Sequence, residues 1–272
     1  MRAKKSLGQN FLTNMHAVSK IVDASDPTGD DIVIEIGPGK GVITERLLHF
    51  AGKVIAIETD ERMVHHLAER FSEYCSNGHL DIVHGDILDF DECIMNQYSH
   101  PYTVVGNIPY YITGAIIRKF LSSTYQPSSM TLLIQKEVAE RIVCRNGKHS
   151  ILSLAVAIYG KAHYIAKVPR RYFSPAPRVD SAIIHIDEIS RDRLNGINEE
   201  LFFTVVKTGF GQKRKKLINN LSTLYEKEYL LSIFEKLSID PNTRAEDVPL
   251  TTWINIVCLL NKVNKEYTRR DL

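Results

Sequence analysis

Hydrophobic positions along this chain follow two rhythms, and the change from one to the other is its main landmark. In the first half, short apolar runs alternate with stretches of helical spacing. Ile32-Val33-Ile34-Glu35-Ile36 is a β-branched run that stops at Gly37, the pattern of a strand buried on both faces. Similar runs occur at 54–57, 80–83, 102–105 and 130–135. Helical spacing fills the intervals, through Ile43, Leu47 and Leu48 and then over 61–74, 112–122 and 136–144. An earlier helix is expected over 14–24, with Asn14 as N-cap and Ala17, Ile21, Val22 and Ala24 as its apolar positions. Strands alternating with helices of this length predict a mostly parallel sheet covered on both faces.

Past residue 150 the pattern changes. A helix over 150–159 is followed by strands over 162–168 and 181–186, with no helix between them, so these two are expected to pair antiparallel at one sheet edge. From about 190 only helical patterns remain, over 199–208, 214–223, 227–236 and 250–262. The expectation is an α/β, Rossmann-like domain over 1–189 and a small all-helical domain over 190–272. A length of 272 residues suits that division.

Total charge adds little, since 34 Lys and Arg against 32 Asp and Glu leave +2. Its distribution adds more. Arg2, Lys4, Lys5 and Lys20 are the only charged residues from 1 to 22. Lys161, Lys167, Arg170, Arg171 and Arg178 form a second acid-free stretch, and Lys207, Lys213, Arg214, Lys215 and Lys216 a third. By contrast, 81–92 holds five carboxylates and no Lys or Arg. Any one basic run alone is better read as a solvated face, but three can converge on a phosphate backbone. Cys75, Cys93, Cys144 and Cys258 are far apart, without a Cys-x-x-Cys pair or a His at zinc spacing. That spacing argues against a disulfide framework or a metal site and suits a reducing compartment. With no apolar signal core and no uncharged stretch of spanning length, a soluble intracellular protein is expected.

Candidate chemistry lies at the strand ends. Glu35-Ile36-Gly37-Pro38-Gly39-Lys40-Gly41 closes the first strand, where glycines let the backbone turn and approach a ligand. Glu58 ends the second strand, nineteen residues after Gly39, at the place where an acid accepts hydrogen bonds from ribose hydroxyls. Asp86 follows the third strand, placed for an adenine amino group. A tight turn without a ligand, or a nicotinamide dinucleotide site, also fits the glycines. However, Gly-x-Gly-x-Gly departs from Gly-x-Gly-x-x-Gly, and Glu35 would repel a pyrophosphate. A ligand bearing a cationic amino acid, such as S-adenosylmethionine, tolerates that carboxylate better.

Asn107-Ile108-Pro109-Tyr110 follows the fourth strand at the same sheet edge. The N6 amine of adenine is a poor nucleophile because its lone pair is delocalised into the ring. The Asn107 side-chain oxygen and a backbone carbonyl, expected from Ile108, can each accept an N6 hydrogen. That draws the nitrogen toward tetrahedral geometry and localises the lone pair. Pro109 fixes the loop, and Tyr110 offers a ring face for the base. The amine becomes acidic as the new bond forms, so positioning rather than a strong base is the main requirement. An ordinary turn with a packed tyrosine is the structural alternative.

With these residues in hand, the chain resembles the KsgA family of ribosomal RNA adenine dimethyltransferases, whose sister branch is the Erm methylases. The resemblance runs through Ser6-Leu7-Gly8-Gln9-Asn10-Phe11-Leu12, Glu35 to Gly41, Gly85-Asp86-Ile87-Leu88, Asn107 to Tyr110 and Gln135-Lys136-Glu137-Val138. Its most specific part is Phe173-Ser174-Pro175-Ala176-Pro177-Arg178-Val179-Asp180-Ser181-Ala182. The resemblance implies a class I methyltransferase fold that uses S-adenosylmethionine. Gln9, Asn10 and Leu12 would close over the cofactor's methionine end beside Gly37 and Gly39, with Glu58 on the ribose and Asp86 on the adenine. Asn107 would serve both the cofactor and, with Ile108, Pro109 and Tyr110, the target base. Phe173, by resemblance alone, would stack on the base's other face.

Val179-Asp180-Ser181-Ala182-Ile183 and Phe210-Gly211-Gln212-Lys213-Arg214-Lys215-Lys216-Leu217 favour KsgA over Erm. This implies two adjacent adenines in the 3′-terminal hairpin loop of small-subunit RNA, within a pre-ribosomal 30S particle in the cytoplasm. Arg170, Arg171, Arg178, Lys213, Arg214, Lys215 and Lys216 would face the RNA. Neither a metal nor a membrane is implied, and a monomer is the default. The chain departs from the family in lacking a hydroxyl residue near Lys216 and in carrying Tyr111 where Asn is usual. Competing readings are an Erm-type large-subunit methylase, a DNA adenine methylase sharing the Asn-x-Pro-Tyr chemistry, and a non-catalytic RNA-binding assembly factor. No target-recognition insertion is visible, and Glu58, Asp86, Asn107 and Tyr110 are present together, which argues against the last two.

Overall fold

The computed structural model describes residues 3–4, 7–97 and 101–261. Arg2, Lys5 and Ser6, and the last residue of the helix expected over 250–262, lie outside them. The chain forms two compact units, Met1–Glu140 with Gly160–Ile189, and Arg141–Tyr159 with Ser190–Leu272. Residues 141–159 therefore belong with the C-terminal helices, so the boundary is not a single crossing near 190.

The first unit opens with β1 (Phe11–Leu12) and α1 (Met15–Ser25), then β2 (Ile32–Ile36), α2 (Val42–Leu47), β3 (Lys53–Glu58), α3 (Glu61–Arg70), α4 (Ser72–Ser76) and β4 (Leu80–His84). It continues with β5 (Tyr102–Asn107), α5 (Thr113–Ser122), β6 (Ser129–Gln135) and α6 (Lys136–Ile142), which ends in the second unit. The second unit then supplies α7 (Ile151–Ala157). The chain returns to the first for β7 (Lys161–Val168), β8 (Phe173–Ser174) and β9 (Ser181–Asp187). The seven-stranded sheet has the order β4-β3-β2-β5-β6-β9-β7. Pairing is parallel from β4 to β6 and antiparallel at β9–β7, as the spacing predicts, and it is antiparallel also at β6–β9, which the spacing does not specify. Connections leave β2 toward β3 on one side, while β5 lies on its other side. That reversal opens a crevice at the carboxyl ends of β2 and β5.

Side-chain alternation covers the sheet on both faces. Val33, Ala56, Val105, Leu133 and Ile183, one from each of five strands, pack in a cluster with Ala17, Val18 and Ile21 of α1 and Leu47 of α2. The intervening Ile34, Ile55, Val104 and Leu132 are buried as well. Each fully buried aliphatic side chain contributes about 1.5–3 kcal/mol. Asn14 caps α1 by accepting the Ala17 N–H at 3.0 Å. The helix expected over 61–74 is instead broken at Phe71, whose ring sits where a side chain on Gly41 would need to be, 2.6 Å from an added Cβ.

The second unit also holds α8 (Glu199–Gly209), α9 (Leu217–Leu221), α10 (Lys227–Lys236) and α11 (Leu250–Asn261), and the fully buried Trp253 of α11 packs against Gly209 and Phe210 at the end of α8. The expected helix over 214–223 shortens to α9, because Asn220 reaches back to bond the Gly209 and Gln212 carbonyls at 2.6 and 3.2 Å. Lys213, Arg214 and Lys215 thus occupy an exposed loop and Lys216 the N-cap, rather than the start of the helix.

Gly209 lies against the indole, where an added Cβ would be 2.4 Å from the Trp253 ring and 2.8 Å from Leu217. Gly209→Ala should therefore destabilise this unit by about 1–3 kcal/mol through overpacking. Trp253 is the only tryptophan, so denaturant unfolding followed by its fluorescence measures the shift. An unchanged midpoint would refute the tight packing.

Candidate active site

The β2–β5 crevice brings two of the sequence motifs together. Gly37, Gly39 and Gly41 all adopt left-handed backbone, with φ of 65°, 56° and 79°. A side chain on Gly37 would lie 3.6 Å from the Asn107 carbonyl, so the glycine turn directly abuts the Asn-Ile-Pro-Tyr segment. Gly39 is covered by Phe11, 3.0 Å from an added Cβ, with the Lys40 ammonium 5.1 Å from the centre of that ring.

Glu58 organises the turn. Its Oε2 accepts the Gly39 N–H at 3.0 Å and its Oε1 accepts the Asp60 N–H at 2.9 Å. Burial raises its pKa, while those two N–H groups favour the anion and oppose the rise. Glu35 has no such help. It is 1% exposed and neither carboxylate oxygen has a hydrogen-bond partner. Burial raises it to about 8, with Glu58 adding repulsion; the nearby Thr44 hydroxyl and amide lower it, although neither reaches good hydrogen-bond geometry. Asp86 is exposed after β4 and uses Oδ1 to accept the Leu88 N–H at 2.9 Å. Its link to the site is through the backbone, as Gly85 N–H donates to the Glu58 carbonyl at 3.0 Å.

Asn107 ends β5, and its Nδ2 donates to the Asn10 carbonyl at 3.1 Å. That bond sets which way the amide faces; among the described residues, Oδ1 has no donor. Ile108 is buried, Pro109 has φ −58°, and Tyr110 enters a 3₁₀ turn over Tyr110–Ile112. The Tyr110 hydroxyl shares a 2.7 Å hydrogen bond with Ser181 Oγ in β9. Burial raises the phenol's pKa, so the ring remains neutral at physiological pH. Tyr111, next in the chain, is 71% exposed.

Leu12 pairs with Phe173 in the two-residue β1–β8 ribbon, and both join the α1-side core. Phe173 is only 5% exposed, so a base stacked on it would have to displace part of that packing. Gln9 does not point at the glycine turn through any bond. Its Nε2 donates to Asp60 at 3.0 Å and its Oε1 accepts the Lys4 N–H at 2.8 Å. Arg170, Arg171 and Arg178 are exposed around β8, with Asp180 accepting the Arg170 N–H and pairing with Lys167. Lys213 to Lys216 are exposed in the second unit and form no ion pair with the described residues.

The sequence assigned no role at the site to Asp60 or Thr44, and Ser181 figured only within the Phe173 to Ala182 and Val179 to Ile183 runs. Asp60 carried a usable signal, being an acid immediately before an amphipathic helix, and it does cap α3. Ser181 and Thr44 carried none, since their roles depend on which strand or helix lies opposite.

Comparison with known proteins adds an independent line. A sequence profile described as ribosomal RNA adenine dimethylase matches residues 1–262. A ribosomal RNA small subunit methyltransferase A from Dehalococcoides mccartyi is 40% identical over 256 residues, which is 93% of this chain and 87% of the relative. Among solved structures, a dimethyladenosine transferase from Plasmodium falciparum superposes with a TM-score of 0.79 at 26% identity, covering 95% of this chain and 99% of that one. The 23S rRNA methyltransferase ErmE gives 0.75 at 24% identity, covering 93% and 100%, a likeness of fold alone. The chain belongs to the ribosomal RNA adenine dimethylase family.

Proposed function

We propose that the chain transfers methyl groups from S-adenosylmethionine to the N6 of two adjacent adenines in the 3′-terminal hairpin loop of small-subunit ribosomal RNA. The substrate is a cytoplasmic pre-ribosomal 30S particle, and the enzyme acts as a monomer. One observation carries the reading. At the carboxyl edge of β5, against the glycine turn, Asn107 commits Nδ2 to Asn10 and leaves Oδ1 for a donor. An exocyclic amine supplies that donor.

The side chains around the turn suit the cofactor. Glu35, Glu58 and Asp86 offer only acceptors when ionised, matching an ammonium, ribose hydroxyls and an adenine amino group. The unpartnered Glu35 carboxylate particularly favours a cationic ligand over a pyrophosphate. When bound, the cofactor supplies an electrophilic methyl on a sulfonium. The chain's own part is positioning: Asn107 Oδ1 and the Ile108 carbonyl draw the two N6 hydrogens, Pro109 sets the loop, and Tyr110, held by Ser181, provides a ring face. Arg170, Arg171, Arg178 and Lys213 to Lys216 provide exposed cations for RNA phosphates. The small-subunit assignment is supported by the name of the 40%-identical relative, and the Erm-type alternative by fold likeness only.

Incubation with labelled methyl donor and small subunits lacking the modification should place label on small-subunit RNA. Label on large-subunit RNA instead would overturn the assignment. Asn107→Ala should lower kcat by at least about 10²-fold, the usual cost of removing one preorganised hydrogen-bonding group, with a much smaller effect on cofactor affinity. A fully active variant would sink the N6 mechanism.

Glu35 predicts a pH signature. Its pKa of about 8 in the folded chain returns toward the ordinary 4.5 on unfolding, so the folded form holds an extra proton between those values. The associated stability is full below about pH 4.5 and is lost as pH rises through about 8. Thermal midpoints of the ligand-free protein should fall over that window, and Glu35→Gln should flatten the fall. An identical slope in the variant would exclude Glu35 as the source.

Neutralising Lys213 to Lys216 should weaken RNA binding and reduce its salt dependence. The log–log slope should fall by about 0.7 for each single-strand phosphate that is no longer neutralised. An unchanged slope would return these residues to a merely solvated role.

A further inference from the structure

The carboxylate of Asp60 is completely buried, yet the methyl-transfer chemistry makes no use of it. Its oxygens accept from the Arg62 side chain (Nη2 at 2.6 Å, Nε at 3.0 Å), from Gln9 Nε2 at 3.0 Å and from Lys4 Nζ at 3.1 Å. Arg62 and then Gln9 and Lys4 hold the carboxyl well below the usual carboxylate range, so it is charged at any physiological pH. Capping of α3 needs only one acceptor, from the Arg62 N–H. Of the remaining bonds, those from Arg62 Nε and Nη2 are local, while those from Gln9 and Lys4 reach back 51 and 56 residues to the N-terminal segment.

That segment bears on the reacting centre. Asn10, the neighbour of Gln9, supplies the carbonyl that receives Asn107 Nδ2. On its other side, the Asp60 N–H is bound by Glu58, which also holds Gly39. A continuous path therefore runs from the glycine turn through Glu58, Asp60, Gln9 and Asn10 to Asn107. Both polar ends of the Gln9 amide are occupied within it, by Asp60 and by the Lys4 N–H.

We infer that Asp60 is a positioning residue: through Gln9 it holds the Asn10 carbonyl in place, and that carbonyl orients the Asn107 amide toward the target amine. This rests on the adenine N6 reading for the reaction, though not for the latch itself. Gln9 then acts through Asp60 rather than by touching the cofactor.

The polarity of the Gln9–Asp60 bond allows a reciprocal test. Asp60→Asn keeps the α3 cap, since Asn caps as well as Asp, but its amide can set a donor against the Gln9 donor. Gln9→Glu sets two carboxylates together. The double variant, Asp60→Asn with Gln9→Glu, restores one donor facing one acceptor between positions 9 and 60, while the Arg62 Nη2 that shares Asp60 Oδ2 still loses its acceptor. Two quantities are measured: kcat and KM on unmodified small subunits, and hydrogen exchange of segment 8–12 in the ligand-free protein. Each single variant should lose at least about tenfold in kcat, equivalent to about 1.4 kcal/mol, with KM for RNA little changed. Exchange in the segment should accelerate in both. The double variant should be at least about threefold better than either single variant in both measurements, short of wild type because the Arg62 bond is not restored, a coupling that a merely structural loss would not produce.

Single variants that match wild type, or a double variant no better than the singles, would overturn the latch. Faster exchange with unchanged kcat would overturn its link to Asn107. If wild type transfers no methyl to RNA, the N6 reading fails and the exchange measurement still decides the latch.

Discussion

The parallel pairing of β2 with β5 is the constraint on which the site depends. Ile36 lies opposite Gly106 in that register, so the glycine turn and Asn107 leave the sheet side by side. The approach is close: an added Cβ on Gly106 would lie 3.0 Å from both Ile36 Cβ and Ile108 Cγ2. A larger residue would push the two strand ends apart and separate the turn from the amide. Packing of both sheet faces fixes this register, because a one-residue slip would exchange Val33 and Val105 of the α1-side cluster with Ile34 and Val104 of the opposite buried face.

Around that pairing the protein places three acids, one in β2 and two at the end of β3, and treats each differently. Glu58 is buried but receives two backbone N–H groups, which stabilise its anion. Asp60 is buried and surrounded by cations and amides, so it is firmly charged. Glu35 is buried without partners and holds a proton near neutral pH. The first two are structural in the ligand-free protein, while the third is left with unmet capacity. Such a difference is the mark of a site prepared for a ligand's charge rather than for its own stability.

The second unit makes a separate contribution. Its exposed cations are presented on a loop that Asn220 pins to α8 and that precedes the short helix α9. Gly209 and Leu217, on either side of that loop, lie against each other, and Gly209 lies against Trp253. Charge placed on a pinned loop keeps its geometry, whereas the same charges on a fraying helix end would not.

By itself, the sequence determined the order of the seven strands of the main sheet and of most helices, the two antiparallel strands at the edge, the helical end of the chain and the glycine and Asn-Ile-Pro-Tyr motifs, though not the β1–β8 ribbon. These follow from local periodicity and from turn chemistry, which adjacent residues encode. Only the tertiary structure decided the rest. The partner of Gln9 is Asp60, that of Asn107 is the Asn10 carbonyl and that of Tyr110 is Ser181, pairs separated by 51 to 97 residues. Phe71, where the helix breaks, sets its ring in the space that Gly41 leaves, and residues 141–159 join the C-terminal helices although they precede two strands of the sheet. No local pattern encodes such pairings, because they depend on which elements the sheet brings face to face.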